Sequence, residues 1–369
     1  MIIFLLNLLS TFFTNVSRYL ISKLPRCVLY FLRLNESHIL HTNPVLLTEI
    51  MKHLELKDIA LFRGTCHAMH DLLENVSVRK NNNSISISFY HAQITVEWKH
   101  ENGTYGVLDY SELGDWCRME FKSAEMNESG ELVERNAAKN WEHGDMYNLA
   151  LFNLEFLLQQ QGVELKNLLI QQNYDTFNTT NASAALRFLR DLGNYMAEKT
   201  WKLQVGLLRF SVLDQTHVMA LLPCLHRRIE RLEIRFIGYQ DRPIEEINEI
   251  VATEQWANLQ DVAIETSVDT QLVHFHHIPN AAVEIASITL DDLIHLKNRF
   301  CENPATMENV FISCRNFDDQ GDPQLSPLGQ LEREEGDERR WRSETATPRF
   351  FLRITHYENV FIFLIRRNR

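Results

Sequence analysis

Residues Ile229–Phe236 read IERLEIRF, a run in which Leu232, Ile234 and Phe236 alternate with charged side chains. Alternation with a period of two predicts a β-strand that buries one face and exposes the other. Comparable apolar positions recur along the chain at intervals of about 23 to 30 residues. These positions are Leu208, Leu232, Val262, Ile285 and Val310. The spacing predicts a series of strand-plus-helix units.

Strand and helix patterns alternate on both sides of this run. The other predicted strands cover residues 165–170, 203–210, 259–265, 282–288 and 309–313. Between them, apolar residues at helical spacing predict helices, whose starts are marked by Asp214, by Pro243, and by Thr289 or Asp291. Such units over residues 147–314 predict a degenerate leucine-rich-repeat-like α/β solenoid. A doubly wound parallel sheet remains a competing arrangement, although no glycine-rich phosphate loop follows any predicted strand.

A short antiparallel β meander is predicted for residues 79–121, ahead of the repeats. Ile85 and Ile87 alternate with polar residues in one run, and Val96 and Trp98 do so in the next. The whole chain is therefore expected to be of mixed class, α+β or α/β, with helices at its N-terminal end, then the meander, then the repeats.

Three further segments carry weaker patterns. Residues 122–146 are polar with little periodicity, and they are predicted to form a surface segment. Residues 315–348 are rich in charged residues, glycine and proline, which predicts a disordered loop. Residues 349–369 contain two apolar runs that predict a closing pair of strands.

Residues 40–78 form a small module of three short apolar helices. Asn43 is a suitable cap for a helix that starts with Pro44, and Asp58 can cap a second helix. Modules below about 40 residues seldom fold without a partner, so the missing half of the core is expected to come from another protein. The alternative is a helical subdomain that packs on the rest of its own chain.

The proline, the leucine pair, Ile50, Leu54, the turn at residues 56–59 and the later Cys66 make this module resemble an F-box. The resemblance implies docking on the Skp-type adaptor of a cullin-based ubiquitin ligase. The residues it assigns to adaptor binding are Pro44, Leu46, Leu47, Ile50, Leu54 and Ile59. The shortened form that begins with Asn43 and Pro44 is similar to nematode F-box proteins that carry a C-terminal FTH domain.

The C-terminal half also resembles the FTH domain. The resemblance is carried by Glu254-Gln255-Trp256, by the histidines of residues 274–277, by residues 288–293 and by the closing strands of residues 349–369. Together the two resemblances imply an F-box A family protein of the cytoplasm. Such a protein is the substrate-recognition subunit of an SCF-type E3 ubiquitin ligase, in which the repeat domain binds a target protein.

The first 34 residues have no charged side chain before Arg18, and basic residues follow it. A membrane anchor or interfacial helix and a packed N-terminal helix both fit this pattern. If the segment inserts, the trailing basic residues favour a cytosolic orientation for the rest of the chain. The second functional hypothesis is therefore a membrane-tethered interaction scaffold without a ligase role.

Catalysis, cofactors and metals are not expected. The chain lacks the short motifs of hydrolases, metalloproteases and nucleotide-binding enzymes. His274 and His276 would share one face of a strand, but with His277 they lack an obvious fourth zinc ligand, so surface and half-buried histidines are the preferred interpretation. The net charge of -12 argues against a general nucleic-acid binder. The six scattered cysteines fit reduced thiols better than a disulfide framework.

Overall fold

The computed structural model of this protein describes twelve stretches of the chain. They are residues 82–101, 105–126, 132–143, 145–161, 164–173, 179–237, 245–302, 309–318, 330–335, 338–342, 350–357 and 360–367. The predicted F-box and the apolar N-terminal segment lie outside these residues. The chain divides into two compact units, residues 1–80 with 153–162, and residues 81–152 with 163–369. The fold described below is that of the second unit, except that residues 153–161 of its first helix belong to the first unit.

Within the described residues, sixteen strands belong to one sheet. The strands are β1 (Asn82–Tyr90), β2 (Gln93–His100), β3 (Tyr105–Leu113), β4 (Trp116–Met126), β5 (Leu132–His143), β6 (Glu164–Gln172), β7 (Gln204–Val212), β8 (Ile229–Phe236), β9 (Glu245–Glu246), β10 (Asp261–Asp269), β11 (Asn280–Thr289), β12 (Asn309–Asp318), β13 (Gln330–Glu335), β14 (Glu338–Arg342), β15 (Phe350–Tyr357) and β16 (Val360–Arg367). Their order is β13-β14-β15-β16-β12-β11-β10-β8-β7-β6-β1-β2-β3-β4-β5, and β9 pairs with β10.

The meander at one end of the sheet is longer than its sequence indicates. Strands β1 to β5 pair with one another in chain order, and each of these four pairs is antiparallel. Trp98 is buried, stacks on Phe121 and lies opposite Gly106, where an added Cβ would clash with the indole ring. Residues 122–146 were predicted as a polar surface segment with little periodicity. They contain the end of β4, all of β5 and the start of a helix, because backbone pairing with β4 holds a polar strand.

Parallel strands form the middle of the sheet. Strands β1, β6, β7, β8, β10, β11 and β12 are parallel neighbours. From β6 to β12 they follow chain order in one direction, without the reversal that defines a doubly wound sheet. The predicted strand Ile229–Phe236 is confirmed with the same bounds.

One buried row of side chains runs across these strands. It consists of Leu168, Leu208, Leu232, Val262, Ala281 and Val310. Ile285 was predicted to occupy this row, but it aligns with Cys314, four residues beyond Val310, which is the β12 member of the row. The prediction of this position was wrong because Ala281, a small residue, holds the place that elsewhere carries a large apolar side chain.

Helices connect the strands. They are α1 (Met146–Gln161), α2 (Thr179–Glu198), α3 (Gln215–Met219), α4 (Asn248–Val251), α5 (Glu254–Ala257) and α6 (Leu290–Glu302), with 3-10 turns at Leu222–Cys224 and Leu272–Phe275. Asp214 caps α3, as predicted, and the Thr289 hydroxyl accepts a hydrogen bond from Asp292 N at the start of α6. The helix predicted after Pro243 is replaced by β9 and the single turn of α4. In the described part of the chain, no helix is both long and apolar enough to cross a bilayer.

The other end of the sheet is antiparallel. Strand β12 pairs with β16, and β15 pairs with β16 and β14, so the predicted closing pair is confirmed. Residues 315–348 were predicted to form a disordered loop, yet they include the end of β12 and the hairpin of β13 and β14. The hairpin residues are mostly charged. Cross-strand backbone pairing rather than an apolar pattern therefore defines these strands.

The Asp214 cap gives one prediction about stability. Burial tends to raise the pKa of the Asp214 carboxyl, but hydrogen bonds from His217 Nδ1 at 2.8 Å and Thr216 N at 3.0 Å hold it well below its usual range. The ionised form therefore stabilises the fold above a pH of about 4, and this contribution is lost as the pH falls toward the folded-state pKa.

Asp214→Asn is accordingly expected to lower the free energy of unfolding by about 1 kcal/mol at neutral pH, and by progressively less in acid. Urea denaturation at a series of pH values measures the difference. Asp191→Asn, which removes a more exposed carboxylate, is the control and should show little change. If the loss in free energy of unfolding caused by Asp214→Asn stayed constant down to acid pH, the stabilising role of the ionised Asp214 would be contradicted.

Candidate functional site

One face of the parallel sheet carries the helices, and the other is open. Helices α2, α3 and α6 contact β1, β7 and β11 respectively, on the side where the apolar side chains are buried. Side chains on the opposite side are mostly exposed or half-buried. We call this side the open face and define it by Arg209, Arg231, Glu233, Arg235, Ala263, Ala282 and Phe311.

Charged residues are concentrated on β7 and β8 of the open face. Arg231, Glu233 and Arg235 alternate with the buried Leu232 and Ile234, so all three point away from the core. Arg209 lies on β7 directly opposite Glu233. Three arginines therefore surround one glutamate, two along its own strand and one across from it. We call this group the arginine cluster.

The glutamate at the centre of the cluster is shielded from solvent. Arg209 Nε donates to Glu233 Oε2, and Arg231 Nε lies 2.7 Å from Glu233 Oε1. The Glu233 side chain is only 10% exposed, whereas those of Arg209 and Arg231 are 42% and 48% exposed. Two guanidinium groups thus cover the carboxylate that holds them.

Two weaker ion pairs extend the cluster toward β10. Arg231 Nη1 lies 3.4 Å from Asp261 Oδ2, and Arg235 Nε lies 3.8 Å from Glu265 Oε2. Burial raises the pKa of the Asp261 carboxyl, and Arg231 lowers it while Glu233 raises it further. Since the net change is upward, the Arg231 contact does not compensate for the burial of Asp261. Exposed ion pairs of this kind contribute little to stability.

An apolar strip lies next to the arginine cluster. Glu233 pairs with Ala263 on β10, Ala263 with Ala282 on β11, and Ala282 with Phe311 on β12. The two alanines rise little above the sheet, and Phe311 is 42% exposed. With strands about 4.8 Å apart, Phe311 stands roughly 14 Å from Glu233. The strip is therefore a shallow floor between the arginines and an exposed aromatic ring.

A pair of asparagines borders the strip. Asn309 Nδ2 donates to Asn280 Oδ1 at 3.2 Å, and these two residues stand opposite each other on β12 and β11. Side-chain amides both donate and accept hydrogen bonds, as the backbone of an extended peptide does. The open face thus combines cations, an apolar floor and amide groups.

The predicted Glu254-Gln255-Trp256 motif has a structural role. Trp256 is 1% exposed, packs edge-on against Phe275 with ring centroids 5.4 Å apart, and donates from Nε1 to His274 O at 3.0 Å. Gln255 Nε2 donates to Leu225 O at 2.9 Å. The motif therefore joins the turn between β7 and β8 to the turn after β10.

The histidine run lies in a turn and not on a strand. His274 lies in the 3-10 turn, His276 ends it, and His277 Nε2 lies 2.9 Å from Trp256 O. Burial, together with the nearby Arg299 and His295, lowers the pKa of His276 to about 4. In the described ranges, no group of three or more His, Cys, Asp or Glu side chains is placed to hold a metal ion.

The known cysteine environments fit unreactive thiols. Cys117, Cys224 and Cys314 are free, and Cys117 and Cys314 are buried. Burial raises the pKa of the Cys314 thiol to about 12, which keeps it protonated and poorly nucleophilic. Pro44, Leu46, Leu47, Ile50, Leu54 and Ile59, the predicted adaptor-binding residues, lie outside the described residues.

Residues 187–322 match the family model of the FTH domain. The match starts within α2 and ends after β12, so it includes the arginine cluster, the apolar strip and the Trp256 motif. The predicted closing strands of residues 349–369 lie outside it. No curated protein and no solved structure matches the chain.

The open face of the FTH-matched region was not predicted as a site from the sequence. One signal for it was present, because in IERLEIRF the charged residues Arg231, Glu233 and Arg235 share one side of the strand. The position of Arg209 beside them depends on the register between β7 and β8, which the sequence of one strand does not contain.

Proposed function

We propose that this chain is the substrate-recognition subunit of an SCF-type E3 ubiquitin ligase, of the nematode F-box A type, acting in the cytoplasm. The observation that carries the proposal is the FTH match at residues 187–322, downstream of a sequence that resembles an F-box. The F-box would dock on a Skp-type adaptor and through it on a cullin.

The target protein would bind the open face. Parallel strands in chain order, with helices after β6, β7 and β11 that pack on the sheet, support a degenerate leucine-rich-repeat-like solenoid. Solenoids of this kind use the face without helices for extended contacts with partners. The polar and aromatic side chains on the open face support its assignment as the target-binding surface.

The proposed mechanism is proximity. A target held on the repeats is kept near the ubiquitin-charged enzyme, which raises the effective concentration of its lysines. The chain itself needs no nucleophile, metal or cofactor for this role.

Co-purification with a Skp-type adaptor tests the proposal. The unmodified chain is expected to retain the adaptor, and the double variant Ile50→Asp, Leu54→Asp to lose it, because a buried charge cannot be accommodated in an apolar interface. Val273→Asp is the matched control, since Val273 is exposed and lies far along the chain from the F-box. Equal adaptor recovery with the double variant, or none with the unmodified chain, would contradict the proposal.

The second candidate function is a membrane-tethered scaffold that binds a partner without ubiquitination. It is favoured by the apolar N-terminal sequence that carries no charge before Arg18. Membrane fractionation of the chain with and without residues 1–34 distinguishes the two. A scaffold of this kind should leave the membrane fraction when the segment is deleted, and an unchanged distribution would contradict it.

A further inference from the structure

We propose that the arginine cluster binds an acidic side chain of an extended segment of the target protein. We further propose that the apolar strip binds an apolar side chain four residues away in the same segment. This rests on the proposed function, because it specifies the chemistry of the target at the open face. The inference is carried by the way Glu233 holds two of the arginines.

Glu233 pre-organises two guanidinium groups. Both arginines use their Nε atom on this one carboxylate, Arg209 on Oε2 and Arg231 on Oε1. Within the part of the chain that the structure describes, the Arg209 side chain makes no further hydrogen bond, so both of its terminal amino groups remain available. Arg231 uses one terminal amino group on Asp261 and keeps the other. An incoming carboxylate would therefore meet donors whose side chains are already fixed.

The exposed part of the cluster is cationic. The Arg209 and Arg231 side chains are 42% and 48% exposed, whereas those of Glu233 and Asp261 are 10% and 31% exposed. Arg235 is 63% exposed, and its partner Glu265 on β10 is 60% exposed. Solvent at Arg209 and Arg231 thus meets guanidinium groups above more shielded carboxylates. In a chain with a net charge of -12, such a local cationic surface favours an acidic partner segment.

The position of the apolar strip determines the spacing between the acidic and the apolar side chain of the bound segment. From the boundary of β7 and β8 to Ala282 on β11, the sheet extends roughly 12 Å. An extended peptide advances about 3.3 Å per residue, and only residues separated by an even number point to the same side. Positions i and i+4 of the peptide therefore match the spacing between the arginines and Ala282. The exposed ring of Phe311, on the next strand, borders the place of the apolar side chain.

Fluorescence anisotropy with defined peptides tests this inference on the full chain. The probes are labelled peptides of about twelve residues in a serine and glutamine background, long enough to cross the open face. Each carries one Asp and one Leu at i,i+4, or at i,i+3, in both chain orders, and a matched set has Asn in place of Asp. The i,i+4 Asp peptide in one chain order is expected to bind at least about tenfold more tightly than its Asn and i,i+3 counterparts, with an affinity that falls as salt is raised.

Variants of the chain locate the binding. The double variant Arg209→Gln, Arg231→Gln is expected to weaken binding of the i,i+4 Asp peptide at least about tenfold. Ala282→Arg, whose side chain would fill the apolar strip, is expected to weaken it by a similar factor. The double variant leaves the Glu233 carboxylate without its two partners. A triple variant that adds Glu233→Gln to the double variant is therefore measured as well, and so is Arg235→Gln, which changes an exposed arginine alone. Arg187→Gln, an exposed arginine on α2, is the control and should leave binding unchanged.

Three results would overturn the inference. The first is equal binding of the Asp and Asn peptides, and the second is no binding of any peptide up to about 1 mM. The third is a loss of peptide affinity with Arg187→Gln as large as with the cluster variants. Adaptor co-purification is measured on each variant in parallel. Retained adaptor without acidic-peptide binding rejects only this inference, whereas absence of adaptor from the unmodified chain rejects the proposed function.

Discussion

Replacing Trp256 by alanine is expected to lower the free energy of unfolding by about 4 kcal/mol. The indole is almost completely buried, packs edge-on against Phe275 and donates a hydrogen bond to His274 O. Its removal would leave a cavity between α5 and the 3-10 turn Leu272–Phe275, and an unsatisfied carbonyl. Urea denaturation followed by far-UV circular dichroism measures the change, provided that the transition is two-state.

Two further substitutions make the Trp256 test specific. Trp256→Phe keeps most of the packing but removes the donor, so a loss of about 1 to 2 kcal/mol is expected. Val273→Ala trims an exposed side chain of the adjacent turn and should change stability by less than about 0.5 kcal/mol. If Trp256→Ala were as stable as Val273→Ala, the motif would be a surface feature rather than a buried contact between α5 and the adjacent turn.

Gly193→Ala is expected to destabilise the protein by about 1 to 2 kcal/mol, although alanine is the better helix former. A Cβ at this buried position of α2 would lie 2.2 Å from the Ala220 carbonyl oxygen, which belongs to the backbone and cannot rotate away. The helix and the turn after α3 would have to separate. Gly193→Leu should cost more, about 3 kcal/mol.

Asn194→Ala is the matched control for the glycine. It changes the next residue of the same helix, which is exposed, and it should be neutral or slightly stabilising through helix propensity alone. Thermal and urea unfolding of the variants provide the comparison. A stabilising Gly193→Ala would show that α2 and the turn after α3 do not make this close backbone approach.

The regular parts of the fold could be predicted from residue patterns. IERLEIRF alternates cleanly, so both the strand Ile229–Phe236 and its buried side follow from the sequence. Asp214 precedes an apolar run and does cap α3. These features are local, because a period of two or a capping side chain involves only neighbouring residues.

The features that sequence patterns missed depend on pairing between distant residues. β5 has few apolar residues, and its strand character comes from hydrogen bonds to β4. The alignment of Ala281 rather than Ile285 with Val262 is a matter of register, which one strand alone does not specify. The short 3-10 turn that contains His274 is likewise fixed by tertiary contacts with Trp256.

The candidate site combines both kinds of information. The alternation of Arg231, Glu233 and Arg235 on one side of β8 can be seen in the sequence. The positions of Arg209 and Ala263 on either side of Glu233 depend on how β7 and β10 pair with β8. The charged side of β8 could therefore be predicted from the sequence, but the full set of residues on the open face could not be predicted without the strand pairing.

Calorimetric titration of the purified full-length chain with a purified Skp-type adaptor tests the proposed ligase role most directly. We predict saturable one-to-one binding with a Kd of about 1 μM or tighter, because an F-box supplies half of a shared apolar core. We also predict at least a hundredfold weaker binding by the Ile50→Asp, Leu54→Asp variant, with Val273→Asp unchanged. Absence of binding at micromolar concentrations, or equal affinity of the double variant, would contradict the assignment of this chain to an SCF-type ligase.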